Sequence, residues 1–133
     1  MITLYKHQQE IVDLFPKRYL IAHSLGTGKT ITALALAKKA GTSVLVICPK
    51  MLKPKWEREA RAWISSKYLV LTKEEFKKYV KMLERYDAII IDEAHNTFGS
   101  LQAQGHKMMM WYIAKYQPTY IWALTGTPYT STP

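Results

Sequence analysis

The segment that most constrains this chain is His23-Ser24-Leu25-Gly26-Thr27-Gly28-Lys29-Thr30. An apolar stretch, Tyr19-Leu20-Ile21-Ala22, leads into it and a helical pattern over residues 31–40 comes after it. Strand, glycine loop and helix in that order describe a turn that cradles phosphate. The two glycines let the backbone curl so that its N–H groups converge, Lys29 adds a mobile positive charge, and the Thr30 hydroxyl is suited to a magnesium ion. A nucleoside triphosphate is the natural guest. The full G-x-x-x-x-G-K-T spacing asks for a glycine at position 23, where this chain has His23, so the match is to the shorter G-x-G-K-T form. Taken alone, the segment also fits a glycine turn with an exposed lysine, and the residues downstream decide between the two.

Outside the loop the chain alternates regularly between strand and helix patterns. Residues 4–15 carry apolar side chains mostly on one helical face, and Pro16 stops that pattern. The helix after the glycine loop covers residues 30–40 and meets Gly41, a C-terminal cap. Residues 43–48 form a continuous apolar run, as in a parallel strand covered on both faces, and Pro49 ends it. A helix over residues 55–64 places Trp56, Ala60 and Trp63 on one face, and residues 68–71 read as a strand. Thr72 and Glu75 have capping-box spacing at the start of a further helix. Phe76, Tyr79, Val80 and Leu83 form its inner stripe, with Lys77, Lys78, Lys81 and Arg85 facing outward. That basic face reads as solvated surface. Residues 88–91 are a fourth strand, residues 96–100 a loop, and residues 102–116 a helix whose Met108-Met109-Met110-Trp111-Tyr112 run reads as core packing. A fifth strand over residues 120–124 leads into Thr125-Gly126-Thr127-Pro128. Strands alternating with helices imply an α/β fold with a parallel sheet and right-handed crossovers, and ligands on such sheets bind at the carboxyl ends of strands. Each chemical motif of the chain falls at such an end.

Composition bounds the rest. A chain of 133 residues, 48% of them hydrophobic, suits one domain with one core. Nineteen Lys and Arg against ten Asp and Glu give a formal net charge of +9, which favours a polyanionic partner or a basic solvated surface. The single cysteine, Cys48, closes an apolar run; it forms no internal disulfide and reads as a small buried residue in a reducing compartment. The sequence shows neither the apolar core of a signal peptide nor a run long enough to span a membrane. The expectation is a cytoplasmic (prokaryotic or viral) or nuclear protein that is not secreted and has no membrane partner.

Asp92-Glu93-Ala94-His95 follows Ala88-Ile89-Ile90-Ile91, so two carboxylates emerge together from the end of an apolar strand. Burying carboxylates there without a function would be costly. Beside a phosphate loop, the first acid suits magnesium and the second suits the water that attacks the γ-phosphate. Acids in the first turn of a helix would explain Asp92 and Glu93 themselves, but not their pairing with a phosphate loop.

Five segments in order carry a family resemblance: Leu4-Tyr5-Lys6-His7-Gln8; Leu25-Gly26-Thr27-Gly28-Lys29-Thr30; Pro49-Lys50-Met51-Leu52 with Trp56 and Glu59; Asp92-Glu93-Ala94-His95; and Leu124-Thr125-Gly126-Thr127-Pro128. They resemble the Q motif and motifs I, Ia, II (a DEAH box) and III of superfamily-two helicases, with the Swi/Snf-like DNA-dependent ATPases as the nearest group. The resemblance covers nearly the whole chain and implies a P-loop NTPase, RecA-like three-layer sandwich. Residues 1–133 would be one N-terminal ATP-binding lobe, the second lobe being absent from this chain.

The resemblance also implies roles. Gln8 would read the adenine edge, although Tyr5-Lys6 departs from the usual pattern and a solvated glutamine is the plainer alternative. Leu25, Gly26, Thr27 and Gly28 would surround the phosphates, Lys29 would contact the β and γ phosphates, and Thr30 and Asp92 would hold the magnesium ion. Glu93 would act as general base or position the attacking water, completing a catalytic set with Lys29 and Asp92. His95, Thr125 and Thr127 would couple nucleotide state to nucleic acid, and Pro49 and Lys50 would touch a phosphate backbone without reading sequence. Lys53 and Lys55 would either extend that contact or stand as solvated charges. The implied cofactors are ATP and Mg2+, and the implied partners are DNA, or RNA, and a second RecA-like lobe, with the isolated lobe a monomer. Without the second lobe's arginine fingers, worth about 10³ to 10⁵ in rate, the chain should bind ATP and hydrolyse it poorly. Two other classes compete: a small-molecule kinase, which has no need of the DEAH and Leu-Thr-Gly-Thr-Pro segments, and a non-catalytic adaptor built on a retired ATPase fold.

Overall fold

Apolar runs of four to six residues, each too short to be a helix, pair side by side as the sheet of a computed structural model that describes residues 17–22, 29–92 and 104–125. The strands are β1 (Arg18–Ala22), β2 (Val44–Cys48), β3 (Tyr68–Thr72), β4 (Ala88–Ile91) and β5 (Tyr120–Thr125). They form one sheet in the order β1-β5-β4-β2-β3, and every neighbouring pair is parallel. Four α-helices connect them: α1 (Lys29–Ala40), α2 (Lys53–Trp63), α3 (Lys73–Tyr79) and α4 (Gln104–Tyr116). Short 3-10 turns precede α2 at Lys50–Leu52 and follow α3 at Val80–Met82.

The layers arise from strand periodicity. Successive side chains point to opposite faces, so Val44, Val46, Cys48, Ala88, Ile90, Trp122 and Leu124 share one core with α1 and α2. Leu45, Ile47, Ile89 and Ile91 share the other with α3 and α4. The direction of winding explains which helix lies where. From β1 to β2 to β3 the chain moves outward along the sheet, and from β3 to β4 to β5 it comes back. With crossovers of one hand, reversing direction moves the connecting helices to the opposite face. The result is a three-layer α/β sandwich around the parallel sheet that the alternating sequence pattern implied.

Local chemistry fixes the ends. Gly41 sits at φ +63, the left-handed conformation in which a residue without Cβ closes a helix, and its N–H bonds Ala37 O at 3.1 Å. Gln117 does the same after α4 at φ 46, immediately before Pro118. Arg85 then covers the carbonyls left open there, donating to Tyr116 O at 2.9 Å and to Gln117 O at 3.3 Å. Thr72 and Glu75 form the reciprocal capping box, with bonds of 2.9 and 3.0 Å.

Two expectations change. Tyr79 is not on the inner stripe: α3 ends there and tightens into a 3-10 turn, which keeps Phe76 and Val80 buried and leaves Tyr79 exposed beneath the Lys78 ammonium. The Met108–Tyr112 stretch divides by helical phase, with Met109 and Tyr112 fully buried while Met110 and Trp111 lie on the outer side, Trp111 under the Lys115 ammonium. Arg85 faces outward and stays exposed as expected, and besides those two carbonyls it pairs with Asp87 at 2.8 Å. The helix expected over residues 4–15 and the loop over residues 96–100 lie outside the described residues. No described helix is long and apolar enough to cross a membrane.

Candidate functional site

Backbone register brings the motif-bearing strand ends to one level. Ala22 pairs with Thr125, Ile21 with Leu124, and Ala123 with Ile91. Asp92, one residue beyond Ile91, is therefore level with Leu124 and with Ile21 just before the end of β1. With β5 between them and strands about 4.8 Å apart, β1 and β4 lie about 10 Å from each other. The end of β1, Ala22, thus lies at the same edge of the sheet as Asp92.

Asp92 is pinned in two ways. Its backbone N–H bonds Ile47 O at 2.8 Å, continuing the β2–β4 ladder by one more bond. Its side chain obeys the alternation of β4: Ile91 faces α3 and α4, so Asp92 turns to the face of α1 and α2. There the Trp56 indole N–H donates to Asp92 Oδ2 at 2.8 Å. Both residues are buried, Trp56 at 1% exposed and Asp92 at 5%. Trp56 reaches this point because Pro54 starts α2 cleanly at its first turn and the helix turns Trp56 and Ala60 inward.

Beside Asp92 opens a cleft of about 580 Å³ at the carboxyl ends of β2, β3 and β4. The helices that come after β2 and β4 leave to opposite faces of the sheet, which is where an open α/β sheet forms a crevice. Cys48, Pro49, Lys50 and Met51 line one wall, Thr72, Lys73 and Glu75 another, and Asp92 reaches it from β4. Burial, reinforced by the Asp92 carboxylate, pushes the Cys48 thiol up to about 12, so it stays protonated and inert. Lys50 and Met51 stand exposed at the rim.

Lys53 is engaged elsewhere. Its ammonium donates to Glu75 Oε1 at 2.8 Å, tying the start of α2 to the capping box of α3. That bond raises the lysine's pKa, and it lowers the glutamate's together with the Thr72 backbone N–H. Of the two charges expected either to extend the Lys50 contact or to stand in solvent, Lys55 is exposed, whereas Lys53 is neither: it is held in an ion pair.

Thr30 lies in the first turn of α1, half-buried, and the backbone of Lys29 begins that helix. Thr125 closes β5 in backbone register with Ala22. Gln8, Leu25, Gly26, Thr27, Gly28, Glu93, His95 and Thr127 lie outside the described residues. The contacts that sequence reading missed are long-range: Trp56 with Asp92 across 36 residues and Lys53 with Glu75 across 22. The helical pattern placed Trp56 in the core, but nothing local marks its indole nitrogen as a donor to a strand end.

Comparison with known proteins agrees with the fold. A family model described as "ATPase family associated with various cellular activities (AAA)" matches residues 19–115, more than half of the chain. No curated protein matches it. Among solved structures, the Pyrococcus furiosus Hef helicase domain superposes with a TM-score of 0.70 at 20% sequence identity, over 96% of this chain and 34% of that one. This chain thus spans about a third of the length of that structure, and the likeness is one of fold.

Proposed function

The chain belongs to the AAA family of ATPases, and on that premise we propose that it is the ATP-binding lobe of a DNA-dependent ATPase of the helicase or translocase type, nearest to the Swi/Snf-like group. The observation that carries the proposal is the buried Asp92 at the end of β4, two strands from the end of β1 and beside a cleft rimmed by Pro49 and Lys50. A carboxylate at this strand end, level with the end of β1, is a hard oxygen ligand placed to share a cation with a bound phosphate.

The donors fit magnesium. The Thr30 hydroxyl and the Asp92 carboxylate are hard oxygen ligands, and an ion of this kind keeps several water or phosphate oxygens rather than a full protein cage. When bound, magnesium would neutralise charge on the β and γ phosphates. The chain's own residues do the rest: the backbone of residues 23–28 and Lys29 hold the phosphates, Asp92 and Thr30 hold the ion, and Glu93 orients the attacking water and takes its proton. Gln8 selects adenine, and His95, Thr125 and Thr127 sense the nucleotide state.

Pro49 and Lys50 then touch the phosphate backbone of DNA, or of RNA in its place. A formal charge of +9 supports binding that positions the protein without reading sequence. A second RecA-like lobe supplies an arginine and closes the cleft, and without such a lobe this one binds ATP, hydrolyses it slowly and does not translocate.

Duplex DNA affinity measured between 50 and 200 mM salt tests the nucleic-acid half of this reading. Binding should weaken steeply with salt, and Lys50→Ala should weaken it on all sequences alike and flatten the salt dependence. No DNA binding at low salt, with ATP still bound, would instead support a nucleotide-binding adaptor. Phosphoryl transfer to a small metabolite would support a kinase.

A further inference from the structure

The bond between Trp56 and Asp92 is not accounted for by packing alone. A tryptophan at 1% exposure in an apolar core meets its packing requirement with its ring, and Trp56 belongs to the cluster of Ala33, Leu36, Cys48 and Ile90. Its N–H, however, is directed to the sheet's edge, where it meets Asp92 Oδ2 at 2.8 Å. A hydrogen bond to one carboxylate oxygen restricts rotation about the Asp92 side-chain torsions. The indole holds the carboxylate as a donor only, fixed by two torsions that the core itself locks. It is also neutral. A lysine or arginine in this place would orient the carboxylate but cancel the charge that attracts a cation, whereas an indole orients it and leaves the charge intact.

We propose that Trp56 is a positioning residue that fixes the Asp92 carboxylate for the magnesium ion of the nucleotide complex. This rests on the reading of Asp92 as the metal-side acid given above. Groups that orient a metal ligand typically govern metal affinity by 10- to 100-fold, so the effect should appear in the magnesium dependence of nucleotide binding rather than in nucleotide binding itself.

The test compares ATP affinity in excess magnesium with affinity in EDTA, for the wild-type chain and for Trp56→Phe, which keeps an aromatic ring and deletes the N–H. The expected result is that magnesium's gain in affinity falls by about 10-fold or more in the variant while the EDTA value stays where it was. A loss that is equal in both conditions, or no loss in either, overturns the proposal. In an Asp92→Ala background Trp56→Phe should then change nothing further, and additive losses overturn it. If Trp56→Phe does not fold, the wild-type protein still decides: the Trp56 indole N–H resonance should shift when magnesium is added to the ATP complex, and a stationary resonance overturns the proposal. Failure of the wild-type chain to bind ATP at all would strike the proposed function instead.

Discussion

Tyr112 offers the sharpest prediction about what keeps β4, and with it Asp92, in place. Its hydroxyl is buried and makes two bonds: it donates to Glu84 O at 2.7 Å and accepts from Tyr86 N at 3.0 Å. Both partners lie in the short segment that leads into β4. The ring packs edge-on against Phe76 at 6.1 Å and against Tyr116 at 4.9 Å. Tyr112→Phe keeps the ring and leaves a buried N–H unpaired, so it should destabilise the fold by about 1 to 3 kcal/mol at pH 8. The pH dependence makes the prediction specific. Burial pushes the Tyr112 phenol from its ordinary value of 10.0 up to about 12. A group whose folded pKa is raised contributes stability that is complete below the unfolded value and is lost as pH climbs towards the folded one. At pH 11 that loss is about 1.4 kcal/mol, one pKa unit's worth, and phenylalanine does not incur it. Urea melts of both proteins at pH 8 and pH 11 should therefore show the gap between them narrowing by roughly that amount. The Cys48 thiol, also raised to about 12, weakens both proteins alike and cancels in the difference. A gap that stays constant, or widens, would refute the account of Tyr112 as a buried, un-ionised strut.

The caps and the ion pair carry further expected outcomes. Gly41→Ala should cost about 1 kcal/mol in a urea melt, because an added Cβ meets nothing within 4 Å and only the φ of +63 resists it. Thr72→Ala should cost about 0.5 to 2 kcal/mol by removing the α3 capping bond. The Glu75 carboxyl is held below its usual value of 4.5 first by the Lys53 ammonium and then by the Thr72 N–H, so what it contributes is present above that value and is lost as pH falls below it. Glu75→Gln should accordingly flatten the acid limb of a stability–pH curve, and an unchanged limb would count against the pair.

The sheet was legible in the sequence because each strand is a nearly continuous apolar run, and burial on both faces leaves little other use for such a run. The caps at Gly41 and Thr72 were legible because they depend on residues a few positions apart. What escaped sequence reading depends on tertiary placement. Tyr79 has the right spacing for the inner stripe, yet the helix ends under it. Trp111 sits in an apolar run, yet its helical phase turns it outward. The Trp56–Asp92 bond needs the α2 axis and the β4 alternation to be known together. Neither periodicity contains the other.

The central claim is that Asp92 and the phosphate loop are two halves of one magnesium–nucleotide site. Thermal melting with and without saturating MgATP tests it most directly. Ligand at about 100 times its Kd should stabilise the chain by about 2.7 kcal/mol, a rise in Tm on the order of 10 °C. Lys29→Ala should abolish the rise, and Asp92→Asn should abolish the part that magnesium adds over ATP in EDTA. A wild-type Tm that ATP does not move, or a rise that survives in both variants, would contradict the account.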